Sequence, residues 1–341
     1  MSEKLLNEGK LLNSNGKLKE TGYAKSLVKE YDRNTIKRKL RIKEWDYYYI
    51  SNNNFGVILA ICDNAYVGYG NITIIDLENK LTVSRNSFKF FPNGKTNFPS
   101  TSKLGDIKFE SRKMKLNFEN DGFSRKLKAN YTKFRNGIDL VCDLELYEEP
   151  EDSFVNVKSF KRKKNFVYNQ KINCMRCQGK IVIGGKLYKF NPENSFAMLN
   201  WSRGVWPYIN KFNSASLSSQ INGVKVGFSF SFGYGKDDNS LENVIFYNGK
   251  IYKIGKVKFD IPQTEKGKDD FMQPWKIASV DGKVNLEFNP IINKKHLFYG
   301  VFAGINSNQI FGRYTGTIKT DDKEIRINDL AGFAEKTKCR W

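Results

Sequence analysis

The sequence predicts an all-β protein of two antiparallel barrels or half-barrels related by internal duplication, with a short N-terminal helical extension. Three observations carry this expectation. From residue 55 onward apolar and polar residues alternate with period two, as in 55-FGVILAI-61, 138-IDLVCDLEL-146, 224-VKVGFSFSFGYG-235 and 310-IFGRYTGTI-318. Asn-Gly, Asp-Gly and Gly-Gly pairs separate these runs at short intervals, the mark of tight hairpins. An ordered series of matches also recurs at an offset of about 170 residues. In it 55-FGVILAI pairs with 226-VGFSFSF, the Gly-Tyr-Gly at 68–70 with that at 233–235, and 114-MKLNFEND with 284-VNLEFNPI. Closing each meander on itself removes exposed sheet edges.

In chain order, residues 1–40 read as an extension, with a helix expected over 24-AKSLVKEYDRNTIKRKLRIKEW-45. Residues 41–160 read as the first barrel domain. The acidic run 145-ELYEEPED-152 and the basic run 158-KSFKRKKN-165 look like an exposed joint, and 161–341 reads as the second barrel domain. Trp45-x-Tyr47 and Trp206-x-Tyr208 stand ahead of the two copies in like manner.

Composition bounds the function classes. A hydrophobic fraction of 40% and an aromatic fraction of 14% over 341 residues supply a sizeable core. No apolar run spans a bilayer and the first 20 residues lack a signal-peptide core, so a cytoplasmic location is expected. The net charge of +21 invites a nucleic-acid or anionic-membrane partner. Its distribution argues against nucleic acid, because lysines alternate with apolar residues in 180-KIVIGGKLYKF-190 and 250-KIYKIGKVKF-259, as on the solvent face of a half-buried strand. Peripheral contact with anionic lipid stays compatible with it. The oligomeric state is not encoded in any pattern.

No metal or cofactor is expected. Cys174 and Cys177 form a C-x-x-C without a second pair at zinc-ligand spacing, and the odd total of five cysteines makes no disulfide framework. The consecutive acids of 146–152 lack the alternating spacing of a calcium loop. No nucleophile elbow, Walker loop or dinucleotide fingerprint occurs. The single histidine, His296, follows Lys294 and Lys295 in what reads as a turn.

The series NWSRGVWPY (200–208), FGYGKDDNSLENVIFYNGK (232–250), MQPWKIAS (272–279), QIFGRYTG (309–316) and LAGFAEKTKCRW (330–341) resembles the bacterial family known as domain of unknown function 2804. RIKEWDYYYI (41–50) and VYNQKINCM (167–175) fit it too, so the resemblance covers nearly the whole chain. One departure is Asn200, where the family tends to carry Asp; an acid in that place is not open to this protein as a proton donor. The family is similar in plan to two-barrel calycin-like or lipocalin-like proteins, the group including hydroxyneurosporene synthase and lipocalin-like cyclases. That similarity implies a barrel cavity for an apolar or polyene-like molecule, with acid-assisted hydration, isomerisation or cyclisation as its chemistry.

Candidate ligand-binding residues are Asn200, Trp201, Arg203, Tyr234, Glu242, Trp275 and Arg313, with Glu242 the candidate acid. Arg203 either ties a carboxylate and backbone carbonyls together structurally or holds a ligand oxygen with its fork of donors. Glu242 is a poor strand starter, which marks it as the partner of an arginine such as Arg203 or Arg313, or as a general acid; Glu335 shares the ambiguity. On the strand 224–235 the face bearing Gly227, Ser229 and Ser231 either packs closely on another element or borders a ligand. The expected function is binding of a small apolar or amphipathic molecule in a barrel cavity. The alternatives are a cofactor-independent isomerase, hydratase or cyclase, and a binder of anionic lipid or nucleic acid.

Overall fold

The computed structural model describes residues 4–162, 164–233, 242–300 and 303–340. The expected all-β fold is present, but the expected helix over 24–45 is not. The N-terminal segment is extended, with short strands β1 (Gly9–Lys10), β2 (Gly22–Ala24) and β3 (Lys29–Glu30) and two 3-10 turns at Arg33–Thr35 and Lys39–Arg41. Its helix-favouring residues are claimed by tertiary partners instead. The Tyr168 hydroxyl donates to the Lys29 carbonyl at 3.0 Å, and the Tyr31 hydroxyl donates to Glu44 at 2.8 Å. Asp32 caps a single turn by accepting from the Asn34 amide, which stops propagation.

The first sheet opens with a four-stranded meander, β4 (Ile42–Ser51), β5 (Phe55–Asp63), β6 (Val67–Asp76) and β7 (Leu81–Phe90). A second meander follows through β8 (Ile107–Glu110), β9 (Met114–Asn120), β10 (Arg125–Arg135) and β11 (Ile138–Tyr147). It continues through β12 (Phe154–Ser159), the 18-residue β13 (Phe166–Ile183), β14 (Lys186–Phe190) and β15 (Phe196–Val205). The sheet order is β7-β6-β5-β4-β15-β13-β11-β10-β9-β8, so the last strand returns to pair with the first. Alternation builds the core in register: Leu127 stands opposite Phe118 on one side and Leu144 on the other, and Ala129 opposite Leu116 and Cys142. The lysines between them, such as Lys115, Lys126 and Lys128, are exposed.

The second sheet repeats the plan with β16 (Ile209–Ile221), β17 (Val224–Phe232), β18 (Val244–Tyr247) and β19 (Lys250–Lys253). Its returning meander is β20 (Val257–Asp260), β21 (Trp275–Ser279), β22 (Val284–Tyr299), β23 (Gly304–Lys319) and β24 (Glu324–Arg340). The order β19-β18-β17-β16-β24-β23-β22-β21-β20 again puts the last strand beside the first, the architecture expected of a duplicated chain. One face of this sheet is a continuous apolar core of Leu217, Phe228, Phe230, Trp275, Phe288, Ile310 and Tyr314 with their neighbours. Phe228 and Phe230 stack at 4.4 Å, and Tyr314 meets Phe228 edge-on at 5.0 Å.

Two compact units emerge, residues 1–50, 56–74 and 83–206 in one and residues 51–55, 75–82 and 207–341 in the other. The charged stretch around 145–165 is therefore interior to the first unit rather than a joint at 160. Two of its charges are engaged: Asp152 accepts from Lys25 at 2.8 Å, and buried Lys158 lies over the Phe160 ring. Strand β12 pairs with β13 along its length, leaving the segment no freedom to act as a linker.

Close backbone approach fixes where glycine is obligatory. Gly204 pairs with Val167, and a Cβ there would overlap the Phe166 carbonyl oxygen of the neighbouring strand. Gly204→Ala is expected to cost more than about 1 kcal/mol of unfolding free energy, measured by urea denaturation.

Candidate functional site

Strand β15 displays the NWSRG motif with alternating faces. Trp201 and Arg203 point to one side; Asn200 and Ser202 point to the other, where the Ser202 hydroxyl donates to Asn200 at 3.2 Å. Arg203 is fully buried and Asp46 on β4 nearly so. Its Nη1 donates to Asp46 at 2.9 Å, to the Trp45 carbonyl at 2.9 Å and to the Ser202 carbonyl at 3.0 Å, and its Nη2 to the Pro99 carbonyl at 3.3 Å. The guanidinium lies between the rings of Trp201 (4.2 Å) and Phe98 (4.6 Å). Trp206, just past the end of the same strand, packs at a tilt against Trp45, ring centroids 4.5 Å apart. The two tryptophans matched in the sequence as repeat counterparts are thus contact partners within one unit.

Around this pair the first unit holds further buried charge. Glu44 accepts from the Tyr31 hydroxyl and from Arg33, and burial pushes its carboxyl above the usual range against the pull of Arg203 and Arg33. Burial and the Glu44 carboxylate together hold the Tyr31 phenol well above its ordinary value. Asp63 accepts from the amides of Ala65 and Gly94 and from the Thr96 hydroxyl. Arg125 bridges Glu149 (2.6 Å), the Ser102 carbonyl (2.7 Å) and the Tyr48 hydroxyl (3.3 Å). These charges hold the chain's own strands and loops. The Nε1 of Trp201 and the Nε of Arg203 are buried donors without a partner among the described residues.

The other sequence candidates lie in the second unit. Trp275 is fully buried in the apolar core and donates to the Phe271 carbonyl at 3.2 Å, as a core tryptophan does. Arg313 pairs with exposed Asp329 at 3.0 Å and donates to the Asn53 carbonyl at 2.7 Å. Tyr234 lies outside the described residues. Glu242 is buried at the entry to β18 and accepts from the Ser231 hydroxyl at 3.5 Å.

Glu242 belongs to a polar row that the sequence does not announce. On the sheet face opposite the core, the register aligns Lys294 on β22 with Gln309, Glu335, Ser214 and Ser231 on successive strands. Cross-strand partners project to the same face, so these side chains run side by side to Glu242. The Ser214 hydroxyl donates to Glu335 at 2.9 Å. Glu242, Ser231 and Gln309 are buried, whereas Ser214, Glu335 and Lys294 keep part of their surface in solvent. One residue pair along, the same face carries a buried row in which Ile292, Phe311, Phe333 and Val244 flank Ser216 and Ser229. On the other side His296 aligns with Ser307 and Thr337, whose hydroxyls hydrogen-bond at 2.7 Å.

Lys294 and His296 are not in a turn. They lie in the 16-residue strand β22, which passes Pro290 by a register shift between Pro290 and Ile292. A bulge tolerates the missing amide, so the proline does not end the strand. Burial lowers the Lys294 ammonium to about 8, with Glu335 opposing the shift. Burial and the charge of Lys294 hold His296 below its ordinary value. Among the described residues no three potential metal-ligating side chains converge. All five cysteines are buried free thiols, Cys174 and Cys177 both on β13.

With the fold and both polar clusters described, comparison with known proteins is decisive on one point. A family model described as "Domain of unknown function (DUF2804)" matches residues 2–341. The chain belongs to this family. No curated protein sequence matches it significantly. Among solved structures it is similar to an AttH-type protein from Nitrosomonas europaea (TM-score 0.51, 10% identity, 88% of this chain and 92% of that one). It is also similar to kievitone hydratase from Nectria haematococca (TM-score 0.52, 12% identity, 98% and 97%). At these identities the likeness establishes the calycin-like two-barrel fold. No helix among the described residues is long and apolar enough to cross a membrane.

The buried Arg203–Asp46 pair predicts a stability effect. Arg203→Met leaves the Asp46 carboxylate buried and uncompensated, which is expected to cost about 3–5 kcal/mol. Adding Asp46→Asn to Arg203→Met removes that orphaned charge and is expected to recover part of the loss, as read in a double-mutant cycle by urea denaturation.

Proposed function

We propose that this protein binds a small amphipathic molecule against the face of the second sheet opposite its core. The observation that carries this reading is the adjacency of two rows on one face. Ile292, Phe311, Phe333 and Val244 form a buried apolar row; beside them run Lys294, Gln309, Glu335, Ser214 and Glu242, of which Lys294, Glu335 and Ser214 keep part of their surface in solvent. Each 100 Å² of apolar ligand surface removed from water contributes roughly 2–3 kcal/mol, and the polar row orients the other end. The inward face of the same sheet is packed with aromatic and aliphatic side chains, which favours the opposite face as the ligand's place. Trp201, Arg203 and Asn200 belong in this reading to the framework of the first unit.

A second reading adds chemistry at the same place. Glu242 and Glu335 stand at either end of a Ser231–Ser214 bridge, and two carboxyl groups over an apolar floor suit proton transfer to and from a double bond. The fold shared with kievitone hydratase is compatible with hydration, isomerisation or cyclisation without a cofactor. Peripheral contact with anionic lipid through the basic surface is a separate property that this site does not require.

The neutral fluorophore N-phenyl-1-naphthylamine tests the binding reading. Saturable binding is expected for the native protein. Ser214→Trp, which fills the partly open centre of the polar row, is expected to weaken it at least tenfold, about 1.4 kcal/mol. Absence of saturable binding, or an unchanged Ser214→Trp affinity, contradicts the reading. Glu242→Gln is expected to leave probe affinity within about twofold, a change of under 1 kcal/mol, while abolishing any hydration or isomerisation activity found.

A further inference from the structure

Past Ile310, the outermost core residue of β23 toward this end, the strands β22, β23, β24 and β16 run on together. Register sets their side chains in rows on one face. The end row is Tyr299, Gly304, Arg340 and Ile209; one row back stand Leu297, Asn306, Lys338 and Lys211, and behind them Lys295, Asn308, Lys336 and Asn213. Such rows lie about 7 Å apart, two residues of strand rise. Leu297, Phe298, Tyr299 and Ile209 are each at least half exposed, and Phe298 lies on the opposite face beside Ile305. Residues 209–213, 295–300, 303–308 and 336–340 hold no Asp or Glu, against the cations Lys211, Lys295, Lys336, Lys338 and Arg340. Lys336 pairs with Asp269, whereas Lys211, Lys295 and Lys338 make no ion pair among the described residues. Apolar side chains outermost, with unpaired cations one and two rows back, form the layering of an element that sits at a membrane surface.

We propose that this end of the second sheet docks on an anionic lipid bilayer, with Leu297, Phe298 and Tyr299 entering the boundary between head groups and acyl chains and Lys211, Lys338 and Arg340 meeting the lipid phosphates. The depth fits. The head-group zone of one leaflet is about 5–7 Å thick, so with the Tyr299 row at the acyl boundary the Lys211–Lys338 row stands at the level of the phosphates. The apolar groups lie on both faces of the strand end, Tyr299 and Leu297 on one and Phe298 with Ile305 on the other. A protein partner on either face would leave the other in water; a bilayer surrounds both. Leu297 and Ile209 offer nothing to a phosphate backbone, which argues against nucleic acid as the occupant. Two backbone groups nearest the tip are already paired, as an apolar surround requires. The Gly300 amide donates to the Ala303 carbonyl at 2.8 Å, and Arg340 donates to the Gly300 carbonyl at 2.7 Å. None of these residues belongs to the ligand face proposed above, so the two readings stand or fall separately.

Co-sedimentation of the full chain with phosphatidylcholine vesicles, with and without about one third phosphatidylserine, tests the docking at about 0.1 M salt. Binding to the anionic vesicles and little to the neutral ones is expected. Lys211→Gln with Lys338→Gln should weaken it about tenfold or more through lost charge, and Phe298→Ser with Tyr299→Ser by a similar factor through lost apolar contact. All four side chains are exposed or end-row, so the urea midpoint of both variants should stay at the native value. Phe298→Trp supplies a reporter, whose fluorescence should be quenched by brominated lipid in excess of the native signal. No binding to anionic vesicles overturns the proposal, as does binding that is unchanged in Phe298→Ser with Tyr299→Ser. Binding without added quenching in Phe298→Trp reduces it to adsorption by charge and refutes entry of the tip. Concentration-dependent dimerisation of the native chain in sedimentation velocity, lost in the same serine variant, would give this surface to a second copy instead and also overturn it.

Discussion

The pairing of the last strand of each sheet with its first is the constraint on which the rest depends. Each half is a meander that would leave two open edges; bringing β15 back to β4, and β24 back to β16, turns two meanders into one curled sheet. In the first sheet this seam is held by charge. Arg203 on β15 reaches Asp46 and the Trp45 carbonyl on β4, with Trp206 packed against Trp45 beside them. A buried guanidinium tolerates burial only when its donors are taken, and here most are.

The corresponding seam of the second sheet is built differently. Ser214 on β16 and Glu335 on β24 are register partners, and the Ser214 hydroxyl donates to Glu335 at 2.9 Å. Where the first seam uses a fully buried charge pair, the second joins a hydroxyl to a carboxyl group that keeps part of its surface in solvent. The duplicated plan therefore closes its two sheets by different means, a buried ion pair in the first and a hydroxyl–carboxyl contact in the second.

Much of this was legible in the sequence. Period-two alternation along 224–232 sorts Phe228 and Phe230 into the core, and leaves Ser229 and Ser231 on the face that borders the polar row. The NWSRG segment stands out by composition, and its Arg203 is central to the first seam through the buried pair with Asp46. The helix expected over 24–45 failed because helical propensity is weak beside specific partners for Tyr31, Lys29 and Arg33. The joint expected near 160 failed because charge density marks solvent only when the charges lack partners, and Asp152 has one in Lys25. Lys294 could not be found by motif at all. Pro290 disguises β22 as a strand ending in a turn, and the row from Lys294 to Glu242 exists only through register between strands distant in sequence.

The account stands most directly on where a small apolar ligand protects the backbone. Hydrogen exchange followed by mass spectrometry, with and without saturating N-phenyl-1-naphthylamine, locates it. Slowed exchange in the strands at Ile209–Ile221, Val284–Tyr299 and Glu324–Arg340, with the Ile42–Ser51 and Phe196–Val205 strands unchanged, is the predicted result. Protection confined to the strands carrying Asp46 and Arg203 would contradict it, and would return the function to the tryptophan–arginine motif.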